Sequence, residues 1–151
     1  MSIEERLASL RITLPKAEPS LVCPICVVTG RLLYVPGSGP TPIEGKLPKG
    51  KLGREFTTEQ GRVFARSAGL EILALVKHQL GSLDRVSRVV KLQGFVNATP
   101  EFEEHSLVIA GCSDLMMEVF GDRGKHARSV FGAMSLRANL PIIVDSIFEI
   151  A

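Results

Sequence analysis

Between Thr57 and Gly81 the chain specifies one helix from cap to cap. Thr57 and Gln60 stand at the spacing of a capping box, in which each side chain satisfies a backbone N–H of the other. Phe64, Ala68, Ile72, Leu75, Val76 and Leu80 recur on one stripe, and Gly81 supplies the left-handed stop. A helix with a single apolar stripe must lie on another layer. The flanking sequence offers a sheet. Leu21 to Val28 and Arg31 to Val35 are β-rich runs separated by Thr29-Gly30, a tight-hairpin signal. Val86 to Val96, Ser129 to Leu136 and Ile142 to Ile150 read as three further strands. Ile3 to Leu10 predicts a short helix, ending before Pro15. Pro36 to Gly50 is too rich in proline and glycine for helix or central strand and predicts a long loop. Asn97 to Glu104 is a loop leading towards the second main helix, whose capped part runs from Ser113 to Phe120 and stops at Gly121. The order β-β-α-β-α-β-β predicts an α+β fold: a mixed sheet with two main helices packed on one face. Its other face needs a cover that the chain lacks, so self-association is expected. At 151 residues, 1–151 fits a single domain with a real core.

Several function classes fall away on composition. The formal net charge is +2, and no basic run carries interleaved aromatics, so no nucleic-acid partner is expected. No apolar stretch reaches the roughly 18 residues needed to span a bilayer. The charged start Met1-Ser2-Ile3-Glu4-Glu5-Arg6 is unlike a signal peptide, which makes the cytoplasm the expected location. Cys23-Pro24-Ile25-Cys26 spells C-x-x-C, but its surroundings read as a strand, on which the two thiols face opposite sides. A zinc site needs a second ligand pair, and none has suitable spacing. The cysteines are therefore expected to pack, with no metal and no cofactor.

Chemistry concentrates near Arg128. It follows the basic, glycine-punctuated loop Gly121-Asp122-Arg123-Gly124-Lys125-His126, where the chain enters a strand beginning near Ser129. An arginine held by backbone on both sides presents a pre-aimed planar fork, suited to a carboxylate or phosphate. A structural salt bridge or a solvated loop arginine is the competing assignment. His126 is a candidate base or a loop histidine. Cys112, just before the cap at Ser113, would feel the positive end of that helix and line a cleft, or be buried. Glu118 is a candidate carboxylate on the second helix. His78 and His105 read as surface or partner contacts.

The chain resembles the Rid/YjgF family of imine deaminases, formerly labelled endoribonuclease L-PSP, in a longer branch. The resemblance rests on Leu10 to Pro15, Thr29 to Val35, Gly50 to Gly53, Leu80 to Val86, Gly94 to Asn97, Val119 to Gly121 and His126 to Ser129. It implies a chorismate-mutase-like fold assembled as a homotrimer around a central β-barrel, with clefts at the subunit interfaces. In that family the cleft hydrolyses reactive 2-imino or enamine acids. The position of Arg128 binds the substrate carboxylate, and backbone at Ser129 and Val130 helps hold it. The family's water-orienting glutamate falls at Ile143, with Asp145 two residues along on the same strand face. Its cleft-wall tyrosine falls at Cys23, and its Ser-Gly-Gln-x-Pro loop becomes Pro36-Gly37-Ser38-Gly39-Pro40, where Gly37 and Ser38 are candidate donors to a ligand. A deaminase with Asp145 as its carboxylate and a non-catalytic module binding small keto acids are the two functions this leaves. Ribonuclease activity would need an acid–base pair and a stacking surface that the chain does not display.

Overall fold

A computed structural model of the chain describes residues 1–17 and 26–151. Its elements are α1 (Ile3–Ser9), β1 (Val27–Thr29), β2 (Leu32–Ser38), α2 (Thr58–Leu80), β3 (Val86–Asn97), α3 (His105–Phe120), β4 (Ala127–Ala133) and β5 (Ile142–Ile150). The sheet runs β1-β2-β5-β3-β4. Only β3 and β4 pair parallel; β5 sits antiparallel between β2 and β3. Thus β2, β3 and β4 point one way, joined by the crossovers α2 and α3, and β5 is the returning strand. This is the expected mixed α+β sheet.

The predicted α2 is present with both its caps: the Thr57/Gln60 box closes and Gly81 adopts φ 83°. The Thr29-Gly30 hairpin also forms, with Thr29 opposite Leu32 and Gly30 at φ 58°. Three boundaries move. β2 extends through Pro36-Gly37-Ser38, which the sequence reading placed in the loop. α3 begins at His105, so Ser113 lies mid-helix and is not its cap. β4 starts at Ala127 and ends at Ala133, two residues early at one end and three at the other. Residues 21–25 of the first predicted strand, Cys23 among them, lie outside the described residues.

The core lies between the helices and one sheet face. Leu33, Val35, Leu92, Val96, Val144 and Phe148 from the sheet meet Ile72, Val76, Leu115, Met116 and Val119 from α2 and α3. The two helices touch almost backbone to backbone. A Cβ on Gly111 would lie 2.0 Å from the Arg62 carbonyl oxygen, and one on Gly69 would lie 3.0 Å from Cys112 Sγ. On β5 the burial alternates strictly, so Ile143, Asp145, Ile147 and Glu149 face away from the helices. Register places Tyr34 and Lys91 beside Ile147, Gln93 beside Asp145, and Phe95 beside Ile143. Phe131 continues that last row, its ring centroid 6.1 Å from that of Phe95. With Val27, Tyr34 and Phe131 each 43–51% exposed, this second face carries apolar side chains, among Lys91, Gln93, Asp145 and Glu149, that no other described residues cover.

The long connection after Ser38 is pinned at intervals. Thr41 N donates to Ser67 Oγ at 3.0 Å, and Gly50 N donates to the Asn139 carbonyl at 2.9 Å. Lys51 Nζ reaches Asn97 Oδ1 at 2.6 Å, while the fully buried Asn97 amide donates to Gly50 O and Asn139 Oδ1. Every polar atom of that buried amide is thereby used, which removes the penalty of burying it.

Candidate active site

α3 reaches the site by matching two periods. Four helical residues advance about 6 Å, and two strand residues about 6.6 Å. His105, Ile109 and Ser113, spaced by four, accordingly run over Gly132, Val130 and Arg128, spaced by two. A Cβ on Gly132 would meet His105 Nε2 at 2.8 Å. One on Gly94, beside Val130, would meet Ile109 Cδ1 at 2.5 Å. Ser113 then stands at Arg128, whose Nη1 donates to its Oγ at 3.3 Å. Ser113 also meets His126 Nε2 at 2.9 Å, and His126 Nδ1 meets the Gly124 carbonyl at 2.6 Å. Sequence reasoning missed Ser113 because it looked like a cap. The apolar period already running from Leu107 was the signal that the helix starts earlier.

Arg128 is exposed on the edge strand, on the helix side of the sheet, opposite Leu92. It has no carboxylate partner among the described residues, unlike Arg31, Arg54, Arg62 and Arg66, which all form ion pairs. Among the described residues the salt-bridge assignment therefore finds no partner for it. Close by, Arg88, Val90, Lys125, His126 and Ala127 line an open basin of about 380 Å³ at the start of β3 and β4. Lys125 there is tethered to Asp122 at 3.1 Å.

The remaining candidates are scattered. Ser129 lies opposite Gln93, in the row that Asp145 completes on β5. Two strand spacings, about 10 Å, separate Ser129 from Asp145. Asp145 is on the open face and Arg128 on the helix face, so one protomer does not bring them together. Burial raises the Asp145 carboxyl above its ordinary range, with Lys91 opposing. Gly37 and Ser38 lie on β2, three spacings or about 14 Å from β4. Ile143 covers Gly37: a Cβ there would lie 2.8 Å from Ile143 Cγ2. The Gly37 carbonyl accepts from Arg137 at 3.3 Å. Ser38 is buried and its hydroxyl donates to the Pro36 carbonyl at 3.2 Å, so it offers a ligand no donor within the protomer.

Cys112 is corrected outright. It is fully buried mid-helix, against Gly69, and lines no cleft. Desolvation of the thiolate pushes the thiol up to about 12. Because the folded thiol keeps its proton while the unfolded one ionises near 9.0, this group's contribution to stability is lost as pH rises from about 9 towards 12. A thiol reagent at pH 8 is expected to leave Cys112 unlabelled in native protein and to label it after denaturation, read by peptide mass spectrometry. Glu118 is taken by Arg66 in a two-pronged ion pair at 3.3 and 3.0 Å on the outer helix surface. His78 is exposed, and His105 packs edge-on to Phe102. Among the described residues no cluster of three or more His, Cys, Asp or Glu could hold a metal ion, and no helix is long and apolar enough to cross a membrane.

The fold is that of a chorismate-mutase-like protein of the YjgF type. A family model described as "YjgF/chorismate mutase-like, putative endoribonuclease" matches residues 4–149, and the chain belongs to that family. Protein TCP17 of Trypanosoma cruzi is 38% identical over 150 residues, covering 98% of this chain and 94% of its own. A crystal structure of a protein of unknown function from Agrobacterium tumefaciens superposes with a TM-score of 0.88 at 40% identity, covering 99% of this chain and 92% of its own. RidA from an Antarctic Psychrobacter shares the fold, with a TM-score of 0.59 at 19% identity over 89% of this chain and 94% of its own.

Proposed function

We propose that the chain is a hydrolytic deaminase of small 2-imino or enamine acids, acting in a cleft between copies of a homotrimer. The observation that carries this is Arg128: an exposed guanidinium with no carboxylate partner among the described residues, fixed at one corner and open at the rest. A substrate carboxylate completes it with charge-assisted hydrogen bonds. Water then adds to the imine carbon, and the carbinolamine collapses to a 2-keto acid and ammonia. Holding the substrate and neutralising its charge supplies most of what this step requires. Asp145 takes the proton from the attacking water. Arg128 and Asp145 lie on opposite sheet faces, so the reading requires a neighbouring copy to complete the site. The uncovered apolar side chains of the second sheet face support that assembly. A light-scattering mass three times that of the protomer is the expected result.

The test is hydrolysis of 2-aminoacrylate generated in situ by a serine dehydratase. Wild type is expected to accelerate it, and Arg128→Ala to lose roughly 10- to 100-fold in kcat/KM, the loss of one charged hydrogen-bonding partner. Equal rates with and without wild-type protein would sink the deaminase. A second reading, a trimeric module that binds small keto acids without turnover, is supported by Ile143, which covers Gly37 at the position where the resemblance puts the family's water-orienting glutamate. In that case pyruvate binds wild type, binds Arg128→Ala at least tenfold more weakly, and no imine is consumed.

A further inference from the structure

We propose that Ser113 and His126 are positioning residues that fix the orientation of the Arg128 guanidinium through a one-way chain of hydrogen bonds. This rests on Arg128 being the ligand clamp. The direction of the chain follows from its far end. The Gly124 carbonyl can only accept, so His126 Nδ1 carries the proton across the 2.6 Å contact. In the neutral ring Nε2 is then an acceptor, and the Ser113 hydroxyl donates to it at 2.9 Å. That leaves the lone pairs of Ser113 Oγ for Arg128 Nη1 at 3.3 Å. Arg128 donates to Ser113, Ser113 to His126, and His126 to Gly124. One corner of the guanidinium is anchored, and its other donors remain for a ligand.

The chain is built into the fold at both ends. Gly124 presses against α3 so closely that a Cβ would lie 2.3 Å from the Met116 carbonyl oxygen. That contact holds the carbonyl which sets the His126 tautomer. Ser113 is 8% exposed in mid-helix, where a serine ordinarily bonds back to its own helix or faces water. Here it reaches across to β4 instead. A fork tethered at one corner loses less rotational freedom when it captures a planar carboxylate. The consequence belongs to binding, not to the chemical step.

The experiment has two arms. In the first, without ligand, ¹⁵N NMR of wild type is expected to show His126 as the Nδ1–H tautomer and slowed rotation about the Arg128 Nε–Cζ bond. Ser113→Ala and His126→Phe are expected to release that rotation to the rate of an exposed arginine, while circular dichroism stays native. In the second, Ser113→Ala is expected to raise KM for 2-aminoacrylate about tenfold and leave kcat within twofold, and Ser113→Thr, which keeps the hydroxyl, to recover most of the loss. An Nε2–H tautomer, or Arg128 rotation unchanged in Ser113→Ala, overturns the proposal. So does a fall in kcat with KM unmoved. If wild type turns over no imine, the deaminase reading has failed, and the NMR arm still decides this one.

Discussion

Gly111→Ala is expected to destabilise the protein by about 3 kcal/mol or more, the upper end of what overpacking costs. For a chain of this length that lowers the melting midpoint by roughly 10 °C. Two effects oppose each other. Alanine is the better helix former by about 1 kcal/mol, so an isolated helix would gain from the change. Against this, the new Cβ would stand 2.0 Å from the Arg62 carbonyl oxygen. The obstacle is backbone, so no rotamer can relieve it, and α2 and α3 must separate. Separation opens the seam where Gly61 meets Val108 and Gly69 meets Cys112 and Leu115. It also shifts Ser113, two residues on, away from Arg128. Ser106→Ala, at an exposed position on the same helix, serves as the control and is expected to stay within about 0.5 kcal/mol of wild type. A Gly111→Ala midpoint within 2 °C of wild type would show that the interhelical seam is looser than this structure has it.

Elements that a local signal specifies were legible in the sequence. α2 carries its start, stripe and stop within its own residues, and β5 alternates without interruption. The errors arise where a tertiary partner decides. Pro36 and Gly37 read as loop, yet β2 continues through them to Ser38. A bulge between Val35 and Ser38, where the register against β5 shifts, accommodates the proline and the glycine. Ser113 read as a cap because serine usually is one. Its real partners, His126 and Arg128, lie 13 and 15 residues away, beyond any local pattern. The residue before α3, Glu104 at its N-cap, makes no side-chain cap hydrogen bond that would announce the helix. The place of Arg128, where the chain enters β4, was legible. Its separation from Asp145 was not, since that depends on the register across β3, and β3 shifts register twice against β5 before reaching Lys91.

Asp145→Asn is expected to lower kcat for 2-aminoacrylate by about 10²-fold or more with little change in KM, the scale of losing a general base, and to make the folded protein more stable at pH 7. The two effects share a cause. Asp145 is half-buried, forms no hydrogen bond or ion pair among the described residues, and has only Lys91 acting in its favour. Burial disfavours the carboxylate, so its folded pKa lies above the unfolded value. The folded state therefore holds its proton to higher pH than the unfolded state does. Stability contributed by this group is full below the unfolded value and is lost as pH rises through the folded one. At pH 7 wild type bears that loss; asparagine, which never ionises, does not. Denaturant melts at pH 4 and pH 7 are thus expected to show the variant's advantage at pH 7 and its disappearance near pH 4. Both results together would mark Asp145 as a base kept for its chemistry. If the variant gains stability and keeps its full rate, Asp145 is only a poorly solvated rim residue, and the attacking water must be oriented by another group.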